Sequence, residues 1–362
     1  MLLSEELARE KNKVLVISQS DGLLDALESE SRGKDVKFKA IFKIDSSRTN
    51  LVLRMLSSLL FASWVFVNLI FYRPRHIYIA TDPPIIVPFI VSVLSKIIKS
   101  DYIYHYQDIH PEILNHYKKL PIRIFNFFKK VDCYSQVNAK HLITITNQMK
   151  IYLESRSNNS NQITLLTNPT NLEFASENIS EKRNGFIFCG NAGRFQRIPL
   201  LMSAIEEYFA QDGKLEFCFI GDGIYAEEIR LLSEKYDQID YLGYLPADEC
   251  NKITAKYKWA LLPIEDGILN YCFPSKTSAY IACGCKILSI ASSGSSIDQW
   301  IDVHSYGENV SPNVDKLVEM FFRIEMQIKS LDDNNLRLSD KEVYSPKKFA
   351  ASIKECLTMM SN

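Results

Sequence analysis

The feature that most constrains the fold is a regular alternation of short apolar runs with segments of helix length. In the first half the runs are residues 14–17, 38–42, 77–80, 102–106, 141–146 and 162–166. In the second half they are residues 186–189, 215–220, 239–242, 259–263 and 286–290. Short apolar strands separated by helices are typical of parallel sheets that are covered on both faces. The sequence therefore predicts an α/β protein.

The alternation is interrupted once, by the polar and acidic stretch 173–184, which is typical of a linker. A chain of 362 residues is long enough for about two domains. We therefore predict one domain over residues 1–172 and a second over 185–340. A helix in 341–362 is expected to pack back on the first domain. Ligands of such sheets bind beyond the carboxyl ends of the strands, and a cleft between two domains is also available.

Composition and cysteine spacing narrow the class of protein. The chain is 46% apolar and 23% charged, which excludes a disordered or collagen-like chain. Its net charge is −1, but the first half is basic and the second half is acidic. None of the eight cysteines has the spacing of a zinc or redox motif, so we expect reduced cysteines and a cytoplasmic protein. The charged N-terminus lacks the apolar core of a signal peptide.

Glycine-rich turns follow three strands of the second half. They are 190–194 (GNAGR), 221–223 (GDG) and 243–244 (GY). Glycine permits a tight turn, and backbone N–H groups next to a helix start form an anion site. Arg194 and Arg197 add positive charge that suits a diphosphate.

The segment 273–276 (FPSK) precedes a further helix pattern. Ser275 is predicted as its N-cap. Lys276 then lies in the first turn, where a cation is unfavourable unless an anionic ligand shares that end of the helix. A solvated surface lysine is the alternative.

Together these motifs resemble the nucleotide-sugar-binding domain of glycosyltransferase family 4, the retaining enzymes of the GT-B fold. The GNxG-(K/R) turn of the family is matched by 190–194, its hGDG turn by 220–223 and its fxG turn by 241–243. Its PSK-xxEY-xAxG segment is similar to 274–284. In the first half, 106–112 (YQDIHPE) resembles the DLHPE segment, 81–83 (TDP) the sDP turn, and 168–169 the NP that precedes the linker.

The resemblance implies two Rossmann-like domains with parallel sheets facing a central cleft. The first would bind the acceptor and the second the nucleotide sugar. Donor-binding roles are implied for Gly190, Gly193, Arg194, Gly221, Gly223, Tyr244, Pro274, Ser275 and Lys276. Acceptor-binding roles are implied for Asp21, Gly22, Asp82 and His105. Catalytic roles are implied for Asp108 and His110.

Simpler interpretations remain open for several of these residues. Asp108 is also placed to cap the following helix, and His110 to be a structural histidine. His105 is equally suited to packing at the end of its strand. Glu265 and Asp266 are expected to bind sugar hydroxyls or to belong to a solvated loop.

Two positions depart from the family pattern. Ala279 stands where the family has a glutamate that holds the donor ribose, and the segment 18–22 (SQSDG) keeps only one of two expected glycines. These departures leave the nucleotide type open. They also leave open a non-catalytic GT-B partner subunit.

The activity implied by the resemblance is transfer of a sugar from a nucleotide-diphosphate donor, with retention. A UDP-sugar is the expected donor, and a lipid-linked or growing bacterial surface glycan is the expected acceptor. Arg194 and Lys276 would stabilise the leaving diphosphate without a metal, since no DxD-like pair ends a strand. No cofactor and no nucleic-acid partner are expected. A nucleotide-sugar epimerase is the alternative enzyme of the same fold.

Two segments bear on membrane association. Residues 55–72 carry no charge and just reach the length of a membrane span. We predict that residues 55–72 form a buried or surface-lying helix, because the next strand is expected to join the sheet of residues 13–17. The alternatives for this segment are a membrane span and a helix lying in the membrane interface.

Residues 113–131 hold five cations and no acid. This pattern favours attachment to the inner face of the cell membrane, the alternative being a core helix with a solvated basic face.

Overall fold

The chain folds into two units, each built on parallel β-sheet. The computed structural model describes residues 2–9, 13–20, 36–43, 51–157, 162–170, 182–330 and 342–361. One unit comprises Met1–Thr167 together with Pro346–Asn362, and the other comprises Asn168–Ser345. The first unit thus contains both ends of the chain.

The first unit alternates strands and helices as the hydrophobic pattern indicates. It begins with α1 (Leu2–Arg9), β1 (Val14–Ser20), β2 (Val36–Phe42), α2 (Leu51–Tyr72), β3 (His76–Ala80), α3 (Ile86–Ile98) and β4 (Asp101–Tyr106). It continues with α4 (Glu112–Tyr117), α5 (Ile122–Asn138), β5 (His141–Thr144), α6 (Asn147–Ser157) and β6 (Ile163–Leu165). The last helix of the chain, numbered α13 below, also belongs to it.

The strands of this unit form two sheets rather than the expected single one. β3, β4, β5 and β6 are parallel neighbours in that order. In the described ranges β1 pairs in parallel with β2 and not with β3. The expectation that the strand after the long helix joins the first strand's sheet is therefore wrong.

Both faces of the four-stranded sheet are covered. Successive side chains of a strand point to opposite faces. In β4 the hydroxyls of Tyr102 and Tyr104 accordingly reach α5, while Ile103 packs with Phe349 and Ile353 on the other face. Those last two residues lie on α13 (Pro346–Ser361), so the C-terminal helix packs on the first unit.

The long apolar segment forms the surface helix α2. Its 22 residues bury Phe61, Val65 and Leu69, while Phe66 and Phe71 on other faces are 47% and 78% exposed. None of the helices in the described ranges combines the length and hydropathy that crossing a membrane requires.

The basic segment 113–131 is divided between two helices. α4 ends at Tyr117, and α5 begins at Ile122 after Pro121, which occupies its N-cap position. Both helices leave large apolar side chains exposed, among them Tyr117, Ile122 and Phe127.

The second unit is a six-stranded parallel sheet with helices on both faces. Its elements are β7 (Arg183–Cys189), α7 (Ile198–Ala210), β8 (Glu216–Ile220), α8 (Ala226–Lys235), β9 (Ile239–Tyr241), α9 (Ala247–Thr254) and β10 (Tyr257–Pro263). They continue with α10 (Lys276–Ala282), β11 (Lys286–Ile290), α11 (Ser296–His304), β12 (Gly307–Val310) and α12 (Val314–Ser330). The strand order is β12-β11-β10-β7-β8-β9.

Aromatic side chains dominate the core of this unit. Phe186 stacks on Phe217 at 5.3 Å between ring centroids, and both contact Phe321 of α12. The predicted strands of both halves are present with bounds that differ by a few residues, but β12 was not predicted. Most of the predicted linker 173–184 lies outside the described residues, and β7 already begins within it.

Candidate functional site

The three glycine-rich turns lie side by side at the carboxyl edge of the second sheet. β7 and β8 are neighbours, as are β8 and β9. The N–H of Gly190 donates to the carbonyl oxygen of Ile220 at 2.8 Å, and the N–H of Gly221 donates to that of Gly243 at 2.7 Å. The N–H of Ala192 donates to the carbonyl oxygen of Asp222 at 2.8 Å. Hydrogen bonds thus join the turns into one continuous backbone surface.

Two of these glycines are required by close backbone contacts. Gly221 has φ 128°, and a Cβ there would collide with the carbonyl oxygen of Gly190. Gly223 has φ 151°, and a Cβ there would lie 2.5 Å from the carbonyl oxygen of Ala192. An L side chain at either position is both strained and obstructed. The close packing of the turns against one another therefore requires both glycines.

The side chain of Lys276 lies across the first of these turns. A Cβ built on Gly190 would be 2.5 Å from its Cε and 3.0 Å from its Nζ. Nζ lies 4.0 Å from the centroid of the Phe188 ring and donates to Oε1 of Gln196 at 3.0 Å. Burial lowers the pKa of Lys276 to about 7, which the nearby Cys189 opposes. Among the described residues no carboxylate forms an ion pair with it, so an anionic ligand would supply the missing partner.

The helix that carries Lys276 is anchored from both sides. The hydroxyl of Tyr280 accepts from the N–H of Cys189 at 3.0 Å and donates to its carbonyl oxygen at 3.3 Å. Ser278 donates to the carbonyl oxygen of Asn168 at 2.9 Å, so the predicted NP segment contacts α10. Ala279, at the position where family 4 has its ribose-binding glutamate, lies half-buried on the same helix.

Ser275 does not cap α10 with its side chain. It occupies the N-cap position, as predicted, but its side chain accepts no N–H of the helix. Thr277 instead donates to the carbonyl oxygen of Pro274 at 2.8 Å. Ser275 is exposed and Pro274 half-buried beside Lys276 in the chain.

Arg197 is already neutralised by acidic partners. Its Nη2 lies 2.6 Å from Oδ2 of Asp266 and 3.3 Å from Oε2 of Glu265, and its Nε donates to the carbonyl oxygen of Ile264 at 2.7 Å. The diphosphate role suggested for Arg197 is therefore not supported. Asp266 is engaged further by Ser292, whose N–H and hydroxyl each donate to it at 2.7 Å.

The contacts of Arg197, Asp266 and Ser292 join the segments that follow β7, β10 and β11. Residue types alone did not predict these contacts. Arg194 and Tyr244, in contrast, lie at the surface of the edge, and Tyr244 is 80% exposed. Gly193 is half-buried within the first turn.

In the first unit, Asp108 and His110 lie close enough to affect each other's ionisation, and the charge of Asp82 acts on both. The N–H of Asp108 donates to Oγ1 of Thr81 at 3.2 Å, which joins the turns after β3 and β4. Burial raises the pKa of Asp108, which His110 lowers and Asp82 raises further. Burial lowers the pKa of His110, and Asp108 is the strongest of the carboxylates that oppose the shift. The N-cap position of α4 belongs to Pro111, so the capping alternative for Asp108 is wrong.

His105 is a packing residue. Its side chain is fully buried, its Nδ1 is 2.5 Å from the hydroxyl of Tyr78, and its ring lies 5.9 Å from that of Phe349 on α13. Burial lowers the pKa of His105 to about 4. The structure does not support its predicted acceptor contact, because no ligand in solvent reaches the ring. Asp21 and Gly22 lie outside the described residues.

Within the described ranges no group of three His, Cys, Asp or Glu side chains could hold a metal ion. At this edge of the second sheet, Lys276 and the exposed Arg194 are groups suited to an anion.

No protein-family model matches the chain. A relative from Pseudomonas aeruginosa named "Probable glycosyltransferase WbjE" is 27% identical over 239 residues, which cover 61% of this chain and 59% of that protein. The match thus spans less than two thirds of the relative's length.

Similar solved structures include the sucrose-phosphate synthase of Thermosynechococcus elongatus, with a TM-score of 0.72 and 15% identity over 99% of this chain and 91% of that one. Anabaena HepE, solved in complex with UDP, has a TM-score of 0.65 and 12% identity over 99% and 92% of the two chains. The apo form of the lipopolysaccharide outer core galactosyltransferase WaaB has a TM-score of 0.61 and 13% identity over 96% and 99%. These likenesses establish the fold as GT-B, an α/β architecture with parallel sheets.

Proposed function

We propose that the protein is a glycosyltransferase of family 4 that moves a sugar from a nucleotide-diphosphate donor to a glycan acceptor. The observation that carries the proposal is Lys276, which lies across Gly190 and has no carboxylate partner among the residues that the structure describes. The P. aeruginosa relative, whose name describes a probable glycosyltransferase, supports the same reaction class.

The second unit is proposed to bind the donor. Transfer of the sugar leaves negative charge on the departing diphosphate. Cations and hydrogen-bond donors that are already oriented toward this diphosphate stabilise the transition state. Lys276 and Arg194 supply positive charge, and Gly190, Gly193, Gly221 and Gly223, in the turns beside them, are proposed to contact the donor through their backbone. We propose that these groups act without a metal or cofactor. The UDP bound in HepE favours a UDP-sugar, with Tyr244 exposed at the same edge.

The first unit is proposed to bind the acceptor and to carry the catalytic groups. A carboxylate such as Asp108 can stabilise an oxocarbenium-like sugar, and an imidazole such as His110 can orient the acceptor hydroxyl. Asp82 is exposed beside them and is suited to binding hydroxyl groups. Transfer with retention remains part of the proposal.

The acceptor is proposed to be lipid-linked, with the protein resting on the cytoplasmic face of the membrane. Support comes from large apolar side chains that α2 exposes at helical spacing: Leu56, Leu59, Leu60, Phe66, Val67, Ile70 and Phe71. Exposed cations of the first unit accompany them: Arg73, Arg75, Lys96, Lys99, Lys118, Lys119, Arg123 and Lys130. Exposed apolar side chains and exposed cations in one unit are suited to an anionic lipid surface.

The reaction is tested by measuring binding and turnover across a panel of uridine, guanosine and cytidine diphosphate sugars. Lys276→Ala and Arg194→Ala should each lower turnover by about 10²–10³. Lys252→Ala, which removes an exposed cation from α9, should not. Donor binding without turnover would replace the proposal by a non-catalytic subunit, a possibility that Ala279 favours. Conversion of the free nucleotide sugar without an acceptor would replace it by an epimerase.

Membrane attachment is tested by sedimentation with vesicles of phosphatidylglycerol and phosphatidylcholine. Phe66→Gln combined with Phe71→Gln should reduce binding. Ile224→Gln combined with Leu231→Gln, two similarly exposed positions of the second unit, should leave it unchanged. Equal binding by both variants would remove α2 from the lipid surface.

A further inference from the structure

A buried ionic cluster in the first unit surrounds Arg156 of α6. The side chains of Arg156 and Asp132 are each 1% exposed, and that of Glu112 is 3% exposed. Lys129, 3.9 Å from Glu112, brings the cluster to two cations and two carboxylates.

The guanidinium of Arg156 contacts both ends of one loop. At the start, its Nη2 donates to the hydroxyl of Tyr106, the last residue of β4, at 3.1 Å. At the end, its Nη1 lies 3.2 Å from both carboxylate oxygens of Glu112, the first residue of α4, and 3.4 Å from the carbonyl oxygen of His110. Asp108 and His110 lie between these anchors.

The remaining contacts hold the guanidinium itself in place. Its Nη2 pairs with Asp132 of α5, and its Nε donates to Oε1 of Gln136 at 3.0 Å. Tyr152 donates to Oε1 of Glu112 at 2.7 Å. A planar guanidinium with all three nitrogens engaged has one orientation, so the loop ends are fixed relative to α5 and α6.

Stability alone is a weak reason for such a cluster. Replacing a buried ion pair by apolar side chains of similar volume is often neutral or stabilising, because desolvation offsets the attraction. A loop that carries groups for chemistry gains something different, since small displacements of reacting groups cost much of the rate.

We infer that Arg156 is a positioning residue, which, through Tyr106 and Glu112, holds Asp108 and His110 in their working geometry. The inference rests on the proposed function for the reaction it serves. The clamp itself is a property of the folded chain and is measurable without donor or acceptor.

The cluster also sets part of the electrostatic environment of His110. The carboxylates that raise its pKa against the effect of burial are Asp108, Asp132, Glu112 and Asp82. Neutralising Glu112 removes one of them, so the pKa of His110 should fall. The shift therefore reports whether the charge of Glu112 acts on His110 in the folded chain.

The test compares Glu112→Gln with Glu154→Gln. The first substitution keeps the shape of the side chain but removes its charge from Arg156. The second removes an exposed carboxylate of α6, whose partner Lys150 is 4.0 Å away. Tyr152→Phe, which removes one hydrogen bond to Glu112, serves as a milder variant in case Glu112→Gln unfolds.

Three measurements on the full chain decide the outcome. We expect hydrogen exchange of the amides in 107–110 to become at least about tenfold faster in Glu112→Gln, because local opening loses a charge-assisted hydrogen bond. We expect the pKa of His110, followed by NMR, to fall. We expect kcat to fall with little change in the KM of the donor. Glu154→Gln should match the wild type in all three. Tyr152→Phe should change exchange and kcat in the same directions as Glu112→Gln, but it leaves the charge of Glu112 in place and should leave the pKa of His110 unchanged.

Unchanged exchange in both cluster variants, with an unchanged His110 pKa in Glu112→Gln, would overturn the clamp. Faster exchange with unchanged turnover would overturn its positioning role. A wild-type protein without transferase activity, but with the expected exchange pattern, would instead count against the proposed function.

Discussion

Binding of a nucleotide sugar should draw a proton onto Lys276. In the empty site the pKa of its ammonium is about 7, against about 10.4 for a lysine in water, because the head group lies over Phe188 and across Gly190. A diphosphate placed beside Nζ favours the charged form and raises that pKa again. Binding and proton uptake are therefore coupled.

The size of the coupling follows from the protonated fraction of the free site. With a pKa of about 7, that fraction is about one half at pH 7 and about 3% at pH 8.5. Affinity should therefore be highest below pH 7 and fall about 16-fold between pH 7 and pH 8.5, which is about 1.6 kcal/mol of binding free energy. The decline continues until pH reaches the pKa of the bound lysine.

Isothermal titration calorimetry in buffers of different ionisation enthalpy measures the protons taken up. The ligand should be a nucleotide sugar, because its diphosphate is esterified at both ends and does not titrate near neutrality. We expect uptake of about 0.5 proton at pH 7 and about 0.9 at pH 8. Lys276→Arg, which stays charged, should bind without uptake. Absence of uptake in the wild type, with the same pH dependence as Lys276→Arg, would refute the reasoning.

Three further predictions concern stability and the turns. The pKa of Lys276 is lower in the folded than in the unfolded chain, so the unfolded chain binds more protons between about pH 7 and 10.4. The free energy of unfolding therefore falls as pH is lowered through that window. Lys276→Met should raise Tm at pH 7, measured by calorimetry, and weaken donor binding. Gly221→Ala should destabilise by more than the about 1–2 kcal/mol of a left-handed residue and weaken donor binding. Gly294→Ala is the matched control, because Gly294 has φ 78° and open space around its Cβ position. In urea unfolding, its free energy of unfolding should fall only by the cost of the backbone conformation. Asp132→Ala should cost about 3–5 kcal/mol in the same assay, because Arg156 is left buried with one carboxylate fewer; a loss below 1 kcal/mol would contradict the buried ion pair.

Much of the fold was predictable because its signals are local. A buried strand is a short apolar run and a helix is a longer amphipathic one, so the predicted strands from residue 14 to residue 290 occur in the structure. β12 was missed because its sequence, GENV, has no apolar run; pairing with β11 makes it a strand.

The candidate site divides in the same way. Gly221 and Gly223 were predictable, because a glycine after a strand marks a turn that a side chain would strain. The function of single charged residues was not. Arg197 was expected to suit a diphosphate because of its charge near the first turn, yet it pairs with Asp266, which lies far from it in the chain.

The sequence by itself determined the alternation of strands and helices, the positions of the glycine-rich turns and the apolar character of α2. Periodicity and turn chemistry act between neighbours in the chain, so residue order is enough to read them. Only the tertiary structure decided which groups meet: Lys276 with Gly190, His105 with Tyr78, and Arg156 with Glu112. Each of these pairs joins residues more than twenty positions apart, and burial and distance, which set charge pairing and pKa, exist only once the chain has folded.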